Sequence, residues 1–280
     1  MAESTSVFKM ENVSVTRGDR DILRGIDWEV KEGENWALIG GNGSGKTSLL
    51  KILMGYLTPT TGDIHIPGRE AAIDSDHQNW DEWRKRFGFV SSSIAQLIEP
   101  AETAIEVIMA GRHAMVNYWQ KDKSIIKTDV AAAKEILSRI QCDHLKNEPW
   151  VYLSQGERQR LLIGRALMSQ QLETLILDEP CAGLDPMARE KFLHFIQDLA
   201  EKRTFKSLVM VTHHVEEIFP EITHALVIKD GLTVANGPKK ETLTSQSLSR
   251  AFGGDLKLRS REGRYRIAFE EEELNLNSVV

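Results

Sequence analysis

Apolar residues fall into distinct patterns along the chain. Ile26-Asp27-Trp28-Glu29-Val30 alternates apolar with polar positions, the period of a half-buried strand, whereas Trp36-Ala37-Leu38-Ile39 is a short continuous apolar run that suits a fully buried one. Leu49, Leu50, Ile52 and Leu53 then recur at helical spacing directly after a glycine-rich turn, which predicts strand, loop and helix in succession. Two more buried runs, Thr174–Leu177 and Ser207–Thr212, lie either side of a helix opened by Asp185-Pro186, where aspartate suits the cap and proline the first turn. Phe192, Leu193, Phe195, Ile196 and Leu199 give that helix an apolar face. Strands alternating with helices predict an α/β fold on a mostly parallel sheet covered on both faces.

Between about residues 93 and 170 the pattern turns helical, with Thr128 the expected cap for a helix over Val130–Ile140. This stretch reads as a helical subdomain inserted into the α/β core. After His214 a hairpin is expected over Ala225–Ala235 with Asp230-Gly231 as its turn, and a second around Glu262-Gly263, because Tyr265, Ile267 and Phe269 alternate after it. The Glu270–Glu273 run reads as a solvated tail. Neither an internal repeat nor a low-complexity linker is present in the sequence.

Length and charge narrow the function. The chain of 280 residues is long enough to bury a full core. A net charge of -6 gives no support to a general polyanion-binding surface, so nucleic acid is not indicated. The cysteines, Cys142 and Cys181, suit a reduced compartment and make no disulfide framework. The N-terminus does not read as a signal peptide, and no stretch approaches the ~20 apolar residues that span a bilayer. A cytoplasmic location is expected, and any membrane part would have to come from another chain.

The candidate chemistry starts at Gly40-Gly-Asn-Gly-Ser-Gly-Lys46-Thr47, which fits G-x-x-x-x-G-K-[ST] and lies after a buried strand at a helix start. Glycines let backbone N–H groups turn inward around phosphate oxygens, and the helix N-terminus adds partial positive charge. Lys46 is expected to reach the β and γ phosphates and Thr47 to ligate Mg²⁺. Gly40, Asn42, Gly43, Ser44, Gly45, Lys46, Thr47 and Ser48 form the candidate nucleotide-binding set. Leu175-Ile-Leu-Asp178-Glu179-Pro180 is the complement, an apolar strand ending in two carboxylates where strand ends in α/β sheets face ligands. Asp178 is expected to hold Mg²⁺, and Glu179 to polarise the attacking water, a role worth ~10²- to 10⁴-fold in rate. Both motifs together predict a Mg-dependent nucleoside triphosphatase.

Leu153-Ser-Gln-Gly-Glu-Arg-Gln-Arg160 contains a capping box, Ser154 with Glu157, and on those two residues alone it is a well-started helix. The whole string resembles the LSGGQ-like signature of the ATP-binding cassette (ABC) ATPases, with Gln155 for the usual first glycine and Glu157 for glutamine. Residues 5–250 share that resemblance. It implies a P-loop NTPase (RecA-like) core with a parallel sheet, an antiparallel β subdomain and the inserted helices, forming one nucleotide-binding domain over residues 1–252. A C-terminal extension, 253–280, follows. The resemblance further implies a dimer, with itself or a paired ABC subunit, around two ATPs, in which Ser154 and Gly156 face the partner's γ-phosphate. Ala182-Gly-Leu-Asp185-Pro186 resembles the family's D-loop, which crosses the dimer interface, and a plain helix cap at Asp185 is compatible with that role. His213, after Thr212 at a strand end, resembles the switch histidine at the γ-phosphate, making Glu179, His213 and Lys46 the candidate catalytic residues; His214 is expected to do no direct chemistry.

Two positions depart from the family pattern. Arg17 stands where an aromatic usually stacks on adenine; a guanidinium can stack too, at ~0.5 to 2 kcal/mol, but a solvated turn residue is the other reading. Ser91-Ser92 stands where the family places Pro-Gln, so Ser92, or Gln96 from the loop, is the substitute ligand for Mg²⁺. The GENWALIG start, Ser91-Ser92 and Thr212–Glu217 resemble molybdate-type transport subunits. The function expected is ATP hydrolysis driving a separate transmembrane permease from the cytoplasmic face of the membrane; Glu106–Arg112 resembles importers. The alternatives are a soluble cassette acting in assembly, translation or repair, favoured by Ser91-Ser92, and a small-molecule phosphotransferase, disfavoured by the signature. Cys181 reads as a small buried filler. Tyr118, Trp119, Trp80 and Trp83 read as core or groove packing rather than partner anchors.

Overall fold

A computed structural model describes residues 5–67 and 84–269. Trp80, Trp83 and the Glu270–Glu273 run lie outside the described residues. The chain forms two compact units, Met1–Ile73 with Ser207–Val280, and Asp74–Lys206. The first unit opens with strands β1 (Ser6–Arg17), β2 (Arg20–Lys31) and β3 (Asn35–Ile39), helix α1 (Lys46–Leu53) and strand β4 (Thr61–His65). The second contains β5 (Phe87–Ser91), α2 (Ser92–Ala95), α3 (Ala104–Arg112), α4 (Lys123–Arg139), α5 (Gln155–Leu167), β6 (Thr174–Asp178) and α6 (Pro186–Glu201). The chain returns to the first unit through β7 (Ser207–Thr212), β8 (His224–Lys229), β9 (Leu232–Pro238), α7 (Lys239–Thr242), α8 (Ser245–Phe252), β10 (Leu256–Arg261) and β11 (Arg264–Phe269).

In the first unit, the continuous apolar run of β3 lies between β7 and β8, parallel to both, and Trp36 through Ile39 are buried as a doubly covered strand requires. β1 pairs antiparallel with β2 and β4, and their alternation places Phe8, Met10, Ile26, Trp28 and Val30 inside. Phe8 meets Trp28 edge to face at 5.0 Å, a geometry that adds to area burial. Both expected hairpins form. β8 and β9 turn at Asp230 and Gly231, with φ of 49° and 75°, the two-residue turn that matches strand twist. β10 and β11 turn at Glu262 and Gly263, Tyr265 is buried, and the opposite face sets Arg259 against Arg266 and Arg261 against Arg264.

In the second unit β5 and β6 run parallel and the helices α3, α4 and α5 pack together. The close approach of α3 to α5 is bought by glycine: a Cβ on Gly111 would stand 1.9 Å from the Arg165 carbonyl oxygen. α4 differs from expectation. It begins at Lys123, capped by Asp122, whose carboxylate accepts from the Ser124 N–H at 2.8 Å and hydroxyl at 2.6 Å. Thr128 therefore sits inside the helix, its hydroxyl donating to the Ser124 carbonyl at 3.1 Å, the back-bond open to threonine within a helix. Asp129 of α4 is wholly buried and bonds both the Tyr118 hydroxyl, at 2.6 Å, and His113 Nε2, at 2.7 Å. Burial and that carboxylate raise the Tyr118 pKa. Tyr118 thus packs as expected, but Trp119 does not: it is 69% exposed, in a stretch held by polar bonds such as Glu99 N–H to the Asn117 side chain. Cys181 is buried as expected, and burial pushes the Cys142 thiol up to about 11.

Candidate functional site: the phosphate loop, the strand-end residues and the signature helix

In the first unit, β3 delivers the chain to Gly40, and the loop closes on itself with the Ser44 N–H donating to the Gly41 carbonyl at 3.2 Å. Gly43 and Gly45 take φ of 78° and 109°, left-handed conformations that L side chains resist. Gly40 is needed for space instead: a Cβ there would meet the Ile228 carbonyl oxygen at 2.4 Å and Ser44 Oγ at 2.6 Å. Behind the loop the Gly231 N–H donates to the Ser44 carbonyl at 3.0 Å, so the β8–β9 turn braces it. α1 starts at Lys46 with no side-chain cap and no acidic residue in its first turn, leaving the positive end of the helix to the loop. Lys46 is buried, and its ammonium donates to the carbonyls of Gly40 at 2.8 Å and Gly41 at 3.0 Å, across the mouth of the loop. Ser44 Oγ is buried with no hydrogen-bond partner. Asn42, Gly43 and Thr47 are exposed and Ser48 is half-buried. The loop therefore brings together the uncapped start of α1, one orphaned hydroxyl and a cation, which fits the oxygens of a polyphosphate.

Two other candidates belong to the same unit. Arg17 is exposed at the β1–β2 hairpin, with Arg20 as its cross-strand partner. His213 is half-buried where β7 ends, its ring 4.0 Å from that of His214.

In the second unit, β6 is buried from Thr174 to Leu177 and ends on half-buried Asp178 and Glu179. Glu179 has φ of 49°, so the chain turns sharply as it leaves the strand, and the Ala182 N–H donates to its carbonyl at 3.1 Å. The exposed Asp185 caps α6, one oxygen accepting from the N–H groups of Met187 and Ala188, each at 2.9 Å, with Pro186 in the first turn. Ser154 caps α5 in the expected box: its N–H and hydroxyl both donate to Glu157, at 2.8 and 2.7 Å. A Cβ on Gly156 would touch nothing nearer than Leu184 at 3.9 Å, so the start of α5 is open on that side. Exposed Val151 and Tyr152 precede it. At the other departure from the family pattern, Ser91 is buried and caps α2, bonding Ser93 Oγ at 2.7 Å, while Ser92 and Gln96 are exposed.

One residue carried no expected role and acquires one from the fold. Glu217, only 3% exposed, accepts from the Thr212 hydroxyl at 2.6 Å, directly before His213. Sequence spacing alone hides this pair, because a five-residue separation closes only when the intervening segment makes a tight 3₁₀ turn.

Comparison with known proteins identifies the family. A profile described as ABC transporter matches residues 23–182. YlmA, an uncharacterized ABC transporter ATP-binding protein of Bacillus subtilis (strain 168), is 39% identical over 246 residues, 88% of this chain and 90% of its own. MntB, the manganese transport system ATP-binding protein of the same organism, is 27% identical over 248 residues, 89% and 93% of the two chains. Among solved structures, an ATP-binding cassette in a dimeric post-hydrolysis state bound to ADP and Pi is 25% identical with a TM-score of 0.67, covering 82% of this chain and 98% of that one. The match is to transport ATPases in general and not specifically to the molybdate type. The chain belongs to the ABC transporter family, as an ATP-binding cassette with the P-loop NTPase fold and an ATPase.

Proposed function

We propose that the chain binds and hydrolyses ATP with Mg²⁺, pairs with a second cassette around two ATPs, and powers a separate transmembrane permease from the cytoplasmic face of the membrane. The observation that carries the reading is the phosphate loop, with Lys46 held across it and Ser44 Oγ buried without a partner. Gly40 through Ser48 bind the triphosphate, and Arg17 lies against the base. Thr47 and Asp178 are the oxygen donors Mg²⁺ favours, with Ser92 as a further ligand. The ion would neutralise charge developing on the phosphates. Glu179 polarises the attacking water and His213 contacts the γ-phosphate. Ser154, Gly156 and Asp185 face the partner's nucleotide; the capping bonds of Ser154 and Asp185 support this by fixing the starts of α5 and α6. Residues 1–252 act as one cassette, with 253–280 as an extension.

Among the described residues no helix is long and apolar enough to cross a membrane, which supports a permease on another chain. MntB serves manganese transport, so a metal ion or metal complex is a broader and better supported cargo class than molybdate alone. The test is a pull-down with Glu179→Gln in ATP, which traps the closed dimer with its partner attached. Recovery of an integral membrane protein supports the reading; exclusively soluble partners overturn the permease. A cassette acting without a permease is the second reading, and Ser91 capping α2 in place of the usual Pro-Gln favours it. A shift of half-maximal activity to higher Mg²⁺ in Ser92→Ala would support that serine as ligand, and an unchanged Mg²⁺ profile would remove it.

A further inference from the structure

The turn that carries His213 is closed by side chains on both sides of it. Thr212 is 1% exposed at the end of β7, and its hydroxyl makes two bonds at once. It accepts from the His214 N–H at 2.9 Å and donates to Glu217 Oε2 at 2.6 Å. The Glu217 N–H in turn donates to the His214 carbonyl at 3.2 Å. His213 is therefore flanked before and after by groups tied to a single buried hydroxyl, and that hydroxyl is oriented by a buried carboxylate. An O–H to carboxyl bond of this length, shielded from water, is among the strong ones.

The next residues are anchored as well. The Ile267 N–H of β11 donates to Glu216 Oε1 at 3.2 Å. Lys239 donates to the carbonyls of Phe219 at 3.2 Å and Pro220 at 2.9 Å, and lies 5.8 Å over the Tyr265 ring. The segment from His214 to Pro220 is thus fixed from within by Glu217 and from outside by α7 and the C-terminal hairpin.

We infer that Thr212 and Glu217 are positioning residues for His213, a clamp that presets the histidine backbone for the γ-phosphate before ATP arrives. The inference rests on the proposed role of His213 in hydrolysis. A carboxylate held at 3% exposure needs a reason, since burying it is costly unless it is bonded, and a apolar residue would fill the same space at lower cost. Its bond to the Thr212 hydroxyl is one such reason. Thr212→Val removes the hydroxyl while keeping the shape, so the His214 N–H and Glu217 Oε2 both lose the bond that it makes. Thr212→Ser keeps the hydroxyl. The histidine backbone then gains freedom in the first variant and not in the second, and small misplacement of a reacting group costs up to ~10²-fold in rate.

Steady-state ATP hydrolysis tests this, with melting temperature measured in parallel on each variant. Thr212→Val is expected to lower kcat by ~10- to 100-fold while KM for ATP stays within about threefold, and Thr212→Ser to restore kcat. Glu217→Gln, which leaves an acceptor for the hydroxyl but no charge, is expected to fall between them and remains informative if Thr212→Val does not fold. A folded Thr212→Val or Glu217→Gln protein with wild-type kcat overturns the clamp, as does a loss that follows melting temperature and is shared by Thr212→Ser. His213→Ala separates the two levels. Wild-type turnover in His213→Ala removes the proposed role of the histidine itself; lost turnover there with normal kcat in Thr212→Val removes the clamp alone.

Discussion

Three helical glycines of the second unit allow one substitution to be read in three environments. A methyl on Gly111 would lie 1.9 Å from the Arg165 carbonyl oxygen and 2.7 Å from its carbon. That is about 1.5 Å short of ordinary contact, and the obstacle is backbone inside α5, so α3 and α5 must separate. Overpacking of this kind costs ~1 to 3 kcal/mol, with the upper end expected for rigid backbone. Alanine returns ~0.8 to 1 kcal/mol of helix propensity, so Gly111→Ala should lose about 2 kcal/mol net. On Gly164 the methyl meets Ile140 Cδ1 at 2.7 Å, Ile108 Cδ1 at 3.2 Å and the Ile136 γ-methyl at 3.2 Å. The two Cδ1 tips can turn aside and the γ-methyl has to give by only a few tenths of an ångström, which leaves Gly164→Ala within ~1 kcal/mol of wild type. On Gly156 the nearest atom is 3.9 Å away, so Gly156→Ala should be neutral or stabilising by up to ~1 kcal/mol. Urea titration followed by far-ultraviolet circular dichroism gives the midpoints, and comparison of slopes shows whether the variants share one transition. The reasoning fails if Gly111→Ala unfolds at or above the midpoint of Gly156→Ala, since the α3–α5 approach would then be looser than 1.9 Å implies.

Asp185→Ala deletes the acceptor for two N–H groups at the start of α6 and should cost ~1 kcal/mol, whereas Asp185→Asn should keep most of it; thermal midpoints decide. Arg259 faces Arg266 across the C-terminal hairpin, so Arg259→Glu should raise stability by ~0.2 to 1 kcal/mol at low salt, and an unchanged midpoint would show that the pair does not repel. Burial raises the Cys142 pKa from 9.0 to about 11, so the folded chain keeps a proton that the unfolded chain releases. Its contribution is whole below pH 9 and is lost as pH rises toward about 11, making wild type fall more steeply than Cys142→Ala across that window; parallel curves refute it.

Motif and secondary structure were legible together in this chain because several motif residues also start elements. Asp185-Pro186 caps and opens α6, Ser154 and Glu157 form a capping box, and Gly40 to Lys46 turn β3 into α1, so local signals and chemical signals fell on the same residues. Legibility failed where competing local signals had to be weighed. Thr128 and Asp122 both suit a cap, and the choice went to Asp122 because its carboxylate reaches both donors of Ser124. Trp119 read as packing by residue type, yet it stands 69% exposed in a stretch held by polar bonds. The antiparallel pairing of β1 with β4 joins residues far apart in sequence, beyond any local pattern. Glu217 was visible as a residue and silent as a partner, because its bond to Thr212 exists only in the folded turn.

Glu179 shows what the site asks of the backbone. Its φ of 49° is left-handed, a region that costs a residue with a Cβ about 1 to 2 kcal/mol. Asn12, Ala114, Gln141, Arg203, Asp230 and Glu262 share the sign, and Asp230 and Glu262 each lead a hairpin turn where the residue type is open to exchange. At Glu179 it is not, if the carboxylate polarises water. Glycine would remove the strain but adds ~0.5 to 1 kcal/mol of unfolded-state entropy, which leaves a net gain of roughly 0.5 to 1 kcal/mol. Glu179→Gly should therefore melt higher than Glu179→Gln, which keeps the strained backbone and loses the same charge, while neither hydrolyses ATP. A glycine variant that melts below the glutamine variant would mean that the turn after β6 is held by the side chain and that the left-handed backbone is no reservoir of strain.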